Sequence, residues 1–254
     1  MIPFTVVIMT KNEASAIADC IAACKPLNQP IVVADTGSTD ETVAIAKTYG
    51  ATILQVNWEG YGKTRNTIAA LCKTDWLLVI DADEQPTAEL IKNILYLSAS
   101  VLAANPSKVY GFKRRSYLGK KPIYFGEWGR DKVFRLYNKQ YHRWDDALVH
   151  ENIVANKAEK EMIGGELLHY TMQNVQQLIN KQQHYAQLNA EKYFKAGKKA
   201  GFVKRFLAPV FNFVQNFFLR LGFLDGKEGF IIAKYNMFYV YWKYKALYSK
   251  YKHH

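Results

Sequence analysis

The sequence predicts an α/β fold in which a Rossmann-like sheet is covered by helices and is followed by a C-terminal amphipathic helical extension. Two observations predict the sheet. Short apolar runs alternate with helix-like stretches over the first eighty residues, and several of the runs end in polar or acidic residues. A third observation predicts the extension, because residues 192–254 carry 13 Lys and Arg but only 2 Asp and Glu.

Local signals place each element of the first hundred residues. Pro26 stops the first helix, Gly37 permits a sharp turn after the second strand, and Gly50 is placed to end the second helix. The predicted strands are residues 5–9, 31–34, 51–56 and 76–80, and the predicted helices are residues 14–24, 40–49 and 63–71. A further helix is expected to begin near Pro86. This order predicts a parallel sheet covered on both faces.

Composition and charge limit the class of protein. The chain has 254 residues, 49% of them hydrophobic, which supplies a core and excludes a mainly disordered protein. The net charge of +12 is concentrated in the extension, since residues 1–191 carry 21 basic and 20 acidic residues. Three cysteines indicate a reducing compartment and buried packing rather than disulfides or a metal site. We expect neither a signal peptide nor a membrane span.

Asp81-Ala82-Asp83 is the sharpest chemical signal, because it directly follows a predicted buried strand. In extended backbone, alternate residues point to the same side, so the two carboxylates can face one hard cation and the phosphates that it carries. The strand end at Asp35 meets the same edge of the predicted sheet, where ligands of α/β proteins bind. The alternative is that these acids only cap the helix that follows.

Three motifs together resemble the nucleotide-binding half of inverting family 2 glycosyltransferases, which have the GT-A fold. They are Thr10-Lys11-Asn12-Glu13, Asp35-Thr36-Gly37-Ser38-Thr39-Asp40-Glu41-Thr42 and Asp81-Ala82-Asp83-Glu84. The resemblance implies that the nucleotide-sugar site contains Thr10, Asn12, Glu13, Asp35, Arg65, Asp81 and Ala82. It also implies that Asp83 binds a divalent metal, Mg²⁺ or Mn²⁺, on the diphosphate. For Arg65, a plain surface arginine is the alternative.

Residues 101–191 are expected to form the acceptor half of a catalytic domain that spans residues 1–191. Strands are predicted at 109–116 and 132–137, with an irregular aromatic and charged loop at 120–131 between them. The residues proposed to contact an anionic acceptor are Arg114, Arg115, Lys120, Lys121, Trp128 and Arg130. A solvated loop that carries the same charges is the alternative.

An inverting transfer requires one carboxylate that takes the proton of the acceptor hydroxyl. Glu151 is the first candidate, because Val149-His150-Glu151 resembles a segment of many family 2 enzymes, and Asp146 and Asp145 are the alternatives. His150 is expected to approach the metal or the diphosphate, or else to be structural. His169 is either a second imidazole near the site or a packed core residue.

The extension, residues 192–254, is basic and aromatic. Apolar residues recur every three or four positions from Phe202 to Leu221, glycines interrupt at 222–226, and a second helix is predicted over 230–251. Such helices with flanking lysines are typical of segments that lie in the plane of an anionic membrane. A hairpin that packs on its own domain or on a second subunit is the alternative. Nucleic acid is disfavoured, because the segment has two arginines and no binding module.

The whole chain also resembles the lipopolysaccharide inner-core β-1,4-glucosyltransferases of Gram-negative bacteria. The residues that carry this closer resemblance include Trp58-Glu59-Gly60-Tyr61-Gly62, Arg130–Leu136 and Gly222-Phe223-Leu224-Asp225-Gly226. It implies a peripheral enzyme at the cytoplasmic face of the inner membrane, which transfers glucose from UDP-glucose to heptose of the lipid A-linked core. The alternatives are another lipid-linked or capsular acceptor, or a nucleotide-sugar-binding protein without catalysis. A homo-oligomer stays open.

Overall fold

The computed structural model describes residues 2–146 and 151–252. The strands are β1 Phe4–Thr10, β2 Ile31–Asp35, β3 Thr52–Gln55, β4 Trp76–Asp81, β5 Glu84–Pro86, β6 Val109–Leu118, β7 Lys121–Pro122, β8 Lys132–Asn138 and β9 Lys160–Met172. The helices are α1 Ile17–Cys24, α2 Thr42–Thr48, α3 Tyr61–Leu71, α4 Ala88–Ser100, α5 Val175–Lys195, α6 Ala208–Val214 and α7 Gly226–Lys252. The chain divides into two compact units, of which the first comprises the residues up to Arg114 together with Lys132–His169.

The sheet of the first unit has the strand order β3-β2-β1-β4-β8-β6-β9-β5. Strands β1 to β4 are parallel, as predicted, and β8 pairs antiparallel with both β4 and β6. The short strand β5, which the sequence pattern did not predict, pairs antiparallel with β9. The residues Asn152-Ile153-Val154 read as a short strand in sequence, but Ile153 forms only an isolated bridge with Trp144.

The core confirms that the parallel strands are covered on both faces. Phe4, Val6 and Ile8 of β1 belong to one buried cluster, whereas Val7 and Met9 belong to another. This alternation follows from the two-residue period of a strand, and it explains why residues 6–9 are apolar at every position. The three cysteines are buried and free, as predicted.

The second unit comprises Arg115–Asp131 together with the residues from Tyr170 onward. Helices α5 and α7 pack against each other, and π-helical turns at Val203–Leu207 and Gln215–Leu219 flank α6. The predicted break at residues 222–226 is a 3₁₀ turn, Gly222–Asp225. The structure therefore divides within the predicted acceptor half and not at residue 191.

A buried carboxylate explains why loop 120–131 belongs with the C-terminal helices. Asp225 is 5% exposed, and its carboxylate accepts hydrogen bonds from the backbone N–H of Tyr124 at 3.1 Å and of Phe125 at 2.8 Å. The backbone N–H of Gly126 donates to the carbonyl of Arg220 at 2.9 Å. These bonds join residues about a hundred positions apart, so no local sequence pattern reveals them.

Candidate active site

The carboxyl ends of β1, β2 and β4 lie side by side in the first unit. The strand register pairs Thr10 with Asp35 and Met9 with Asp81. The sequence-predicted acidic strand ends therefore meet at one edge of the sheet, where ligands of parallel α/β sheets bind.

The side chains predicted to hold the nucleoside bind the loop that follows β2. The carboxylate of Asp35 accepts from the backbone N–H groups of Gly37 at 3.2 Å and Ser38 at 3.1 Å. Asn12 has a φ of 56°, and its Oδ1 accepts from the backbone N–H of Thr39 at 2.8 Å. Gly37 itself has a φ of 99°, a conformation that disfavours a side chain. These bonds shape the turn beside the strand ends.

Glu13 and Ala82 are two further residues of the predicted nucleotide-sugar set. The backbone N–H of Glu13 donates to the hydroxyl of Thr42 at 2.8 Å, and its carbonyl accepts from the first residues of α1. Ala82 is buried at the end of β4. Both contribute through the backbone and through packing, which fixes the position of the motifs around them.

Asp81 lies between two buried arginines. Its carboxylate accepts from Arg65 Nη2 at 2.6 Å and from Arg135 Nη2 at 2.8 Å. Burial by itself would raise the pKa of Asp81, but the guanidinium groups of Arg135 and Arg65 outweigh it and hold that pKa well below its usual range. Burial and the neighbouring Arg135 lower the pKa of Arg65. Because Arg65 is 3% exposed, the alternative of a surface arginine is wrong.

An aromatic ring supports both arginines. The guanidinium of Arg65 lies 4.5 Å from the ring centre of Trp144, and that of Arg135 lies 5.8 Å from it. Asn66 fixes the backbone of Trp144 with two hydrogen bonds of 2.9 Å, one to its carbonyl and one from its N–H. The indole N–H donates to the hydroxyl of Tyr137 at 3.1 Å. Residues from α3, β8 and the following segment thus hold the cationic groups in place.

Glu84 and Arg135 are site residues that the sequence pattern missed. Glu84 is fully buried, and its Oε2 accepts from the backbone N–H of Asp81 at 2.9 Å. Its Oε1 accepts from Arg114 Nη1 at 3.1 Å and lies 3.6 Å from Arg135 Nη2. Burial lowers the pKa of Arg135, but Asp81 and Glu84 more than compensate, so that this pKa is raised. The sequence signal that could have revealed this pairing is Arg135 itself, a charged residue inside the otherwise largely apolar strand β8.

Asp83 and His169 are brought together by the pairing of β5 with β9. The register places Glu84 opposite His169, and His169 Nε2 lies 3.1 Å from Asp83 Oδ2. The imidazole is therefore beside the predicted metal ligand, as the resemblance suggested. The other predicted ligand, His150, lies outside the described residues. Within residues 2–146 and 151–252, no group of three His, Cys, Asp or Glu side chains could hold a metal by itself.

Glu151 lies on the other side of Arg65 from Asp81. Its Oε1 is 3.2 Å from Arg65 Nη1, and its side chain is 11% exposed. By contrast, Asp146 is exposed and Asp145 is half-buried, with its backbone N–H donating to the carbonyl of Asn152. The structure therefore brings the first base candidate, Glu151, into the arginine cluster.

The six residues predicted to contact the acceptor belong to different units. Arg114 lies in the first unit and pairs with Glu84. Trp128 and Arg130 form a short 3₁₀ turn in the second unit, where Trp128 packs on a cluster around Ile123 and Ile232. The guanidinium of Arg115 lies 4.2 Å from the ring centre of Tyr124 and donates to the carbonyl of Ile123 at 3.0 Å, whereas Lys120 and Lys121 are exposed.

Several buried polar atoms of this site have no hydrogen-bond partner among the described residues. They are Thr10 Oγ1, Arg65 Nε and Arg135 Nε; Arg65 Nη1 also has no hydrogen bond, but it forms the ion pair with Glu151 at 3.2 Å. Buried donors are nearly always paired in folded proteins, and the exceptions concentrate where a ligand, ion or water completes the site. The unpaired N–H donors belong to Arg65 and Arg135, the two arginines that flank Asp81. Such donors suit a ligand that is rich in hydrogen-bond acceptors.

The sequence profile of glycosyl transferase family 2 matches residues 5–164. The chain belongs to this family. Membership confirms the predicted GT-A fold and the prediction that the protein is a glycosyltransferase. An uncharacterized glycosyltransferase of Rickettsia prowazekii is 32% identical over 236 residues, which cover 88% of this chain and 79% of that protein. The lipopolysaccharide core biosynthesis glycosyltransferase LpsC of Rhizobium meliloti is 28% identical over 98% of this chain and 93% of its own length.

Solved structures resemble this family 2 glycosyltransferase only in part. Glucosyl-3-phosphoglycerate synthase from Mycobacterium tuberculosis, crystallised with Mn²⁺, UDP and glucosyl-3-phosphoglycerate, superposes with a TM-score of 0.36 at 22% identity. The match covers 45% of this chain and 44% of that one.

Proposed function

We propose that the enzyme transfers glucose, with inversion, from UDP-glucose to a heptose of the lipid A-linked inner core of lipopolysaccharide. Family membership supplies the reaction class. The relative LpsC, whose name refers to lipopolysaccharide core biosynthesis, matches this chain along almost its whole length and supports the acceptor class. The motifs that resemble the inner-core glucosyltransferases support glucose as the sugar.

One observation carries the catalytic part of the proposal. The guanidinium of Arg65 bridges Asp81, at 2.6 Å, and Glu151, at 3.2 Å. Asp81 ends a strand beside the predicted nucleoside residues, so the bridge supports a second carboxylate next to the proposed donor site. A base at this position is what an inverting transfer requires, whereas a retaining enzyme with a covalent intermediate would also need a carboxylate nucleophile.

Glu151 acts as the general base in this proposal. Its carboxylate accepts the proton of the acceptor hydroxyl while the hydroxyl oxygen bonds to the anomeric carbon of the sugar. The bond from that carbon to the diphosphate oxygen breaks on the opposite face, and the nucleoside diphosphate leaves. Arg65 orients Glu151 through their ion pair, and the cationic groups of Arg65 and Arg135 lie where negative charge on the diphosphate would be stabilised.

The donor set at Asp83 fits a divalent metal. A carboxylate oxygen and the imidazole of His169 are both ligands that Mn²⁺ accepts, and Mg²⁺ commonly uses one carboxylate together with substrate phosphates. Asp83 would therefore hold the ion with His169 and the diphosphate, and His150 stays the further predicted ligand. When bound, the ion neutralises charge on the departing diphosphate.

Acceptor contacts are proposed for Arg114, Trp128 and Arg130. An acceptor that carries phosphate groups and is linked to lipid would require cationic side chains and a membrane surface. We place the reaction at the cytoplasmic face of the inner membrane, with the enzyme bound peripherally.

The decisive experiment incubates the full chain with a heptose-containing core acceptor and, separately, UDP-glucose, UDP-galactose and UDP-N-acetylglucosamine. We expect the mass of the acceptor to increase by one hexose with UDP-glucose and Mn²⁺ or Mg²⁺. If the sugar is transferred only to another glycan, the proposed heptose acceptor is wrong. If UDP-sugars bind and no transfer occurs, the protein is a binding protein and not an enzyme of this reaction.

A matched pair of variants tests the base. Glu151→Gln should retain UDP-sugar binding and lose transfer by about 10³-fold or more, because the amide cannot take a proton. Glu161→Gln makes the same change at an exposed position and should retain transfer. If Glu151→Gln turns over at the wild-type rate, Glu151 is not the base.

A further inference from the structure

An exposed apolar surface runs along the segment around α6 in the second unit. The residues that define this surface, here called the tail face, are Phe202, Leu207, Val210, Phe211, Phe218 and Leu219. Each of these side chains is between 53% and 69% exposed. The apolar periodicity from Phe202 to Leu221 does not form one exposed face, because Phe202 and Val210 are exposed whereas Phe213 and Phe217 pack inward.

The opposite side of this segment is packed inside the second unit. Phe213 and Phe217 stack at 5.3 Å, and both contact Phe230 of α7 edge to face. Asn216 is 2% exposed, and its side chain donates to the carbonyl of Asn212 at 3.0 Å. Because the segment already packs its inner side on its own unit, the tail face is a separate surface.

The size of the tail face is unusual for a surface exposed to water. At about 150–250 Å² for a complete aromatic side chain, the three phenylalanines alone expose roughly 350 Å² of apolar area, and Leu207, Val210 and Leu219 add to it. The largest apolar patch on a typical soluble monomer is about 300–600 Å², and larger patches mark protein or membrane contacts. Val203, Phe206 and Val214 extend it further, since each is exposed.

Positive charge adjoins this surface. Lys198, Lys199 and Lys204 are exposed near its beginning, and Lys227 is exposed after its end. The guanidinium of Arg205 lies 3.9 Å from the ring centre of Tyr248. Of the two acidic residues in the extension, Asp225 is buried by its bonds to loop 120–131. A partner that complements this surface therefore combines an apolar region with negative charge.

We infer that the tail face docks on an anionic phospholipid bilayer, with its apolar side chains in the interfacial region and the lysines at the headgroups. A second copy of the chain fits less well, because a twofold interface would bring the same lysines of both copies together. No single described helix is long and apolar enough to cross a bilayer. Val203–Leu219 and Gly222–Lys252 satisfy that requirement only as a pair bent by 70°.

Vesicle co-sedimentation of the full chain, without donor or acceptor, tests this inference independently of the proposed reaction. The probe is a vesicle of phosphatidylcholine with about a third phosphatidylglycerol, compared with phosphatidylcholine alone. We expect binding to the anionic vesicles that decreases with salt. Leu207→Ser, Phe211→Ser and Phe218→Ser combined should reduce the partition coefficient about tenfold or more, because the polar side chains no longer enter the interface.

A matched triple variant controls for loss of exposed apolar area. Leu71→Ser, Tyr96→Ser and Tyr141→Ser replace side chains of the first unit that are 55%, 67% and 57% exposed, and should leave vesicle binding unchanged. Lys199→Gln with Lys204→Gln should weaken binding to anionic vesicles selectively. The inference is overturned if the tail-face variant sediments like the wild type. It is also overturned if the wild type does not bind vesicles and light scattering shows a dimer that the tail-face variant abolishes.

Discussion

Replacement of Glu84 by glutamine tests whether the buried charge at this position holds the site together. The carboxylate has two acceptor oxygens, one for the backbone N–H of Asp81 and one for the guanidinium of Arg114. Glutamine has a similar shape but one acceptor oxygen, so one of these two donors loses its partner. Arg135, 3.6 Å from the carboxylate, loses part of its compensating charge as well.

The burial of Glu84 determines the expected magnitude. Its side chain is 0% exposed, and the removal of one partner from a buried ion pair costs about 3–5 kcal/mol. A loss of 1 kcal/mol lowers the melting temperature of a chain of this size by about 2–4 °C. We therefore expect Glu84→Gln to lower the melting temperature by roughly 6–20 °C.

Thermal unfolding followed by circular dichroism measures this effect, with Glu161→Gln as the control. Glu161 makes a surface ion pair of 3.7 Å with Lys108 and is 49% exposed, so its replacement should cost less than about 1 kcal/mol. If the two variants melt within about 2 °C of each other, the charge of Glu84 does not stabilise the arginine cluster, and packing of its aliphatic part is the better explanation.

Three further predictions follow from single residues. The pKa of Asp81 is depressed, so its charge stabilises the fold above the unfolded pKa near 4, and this stabilisation is lost as the pH falls towards the folded pKa. The difference in free energy of unfolding between the wild type and Asp81→Asn, measured by denaturant titration, should therefore shrink below about pH 4. Asp225→Asn removes the charge and one of the two acceptor oxygens that hold the backbone N–H groups of Tyr124 and Phe125, so limited proteolysis of loop 120–131 should become about tenfold faster. An unchanged rate would show that this carboxylate does not hold the loop. At Gly165, where φ is 90°, an added Cβ would lie 2.4 Å from the backbone nitrogen of Leu90, so Gly165→Ala should lower the free energy of unfolding by more than about 2 kcal/mol in denaturant titrations. At Gly197 an added Cβ meets nothing within 4 Å, so Gly197→Ala should cost only about 1 kcal/mol. Equal losses would contradict the steric argument.

Much of the nucleotide-binding half can be predicted from sequence because its signals are local. A run such as residues 6–9, apolar at every position, specifies a strand buried on both faces, and alternation with helices specifies parallel pairing. Parallel strands bring their carboxyl ends to one edge, so Asp35 and Asp81 become neighbours without any knowledge of tertiary contacts.

The chemistry around these acids is not local. Arg135 reaches Asp81 across 54 residues, and Arg114 reaches Glu84 across 30, because β8 pairs antiparallel with β4 and β6 pairs with β8. Nothing in the local sequence indicates that Glu84, the glutamate after Asp-x-Asp, is buried, whereas the fold buries it completely. Only the strand order determines which charges compensate one another.

The extension shows the same distinction between local pattern and tertiary contact. Its sequence determined an apolar face, a glycine break and an excess of positive charge, since helical periodicity and composition depend on neighbouring residues alone. The tertiary structure decided which aromatic side chains, such as Phe213 and Phe217, pack inward and which, such as Phe211 and Phe218, stay exposed. It also decided that Asp225 holds a loop a hundred residues away, because a buried carboxylate pairs with whichever backbone donors the packing presents to it.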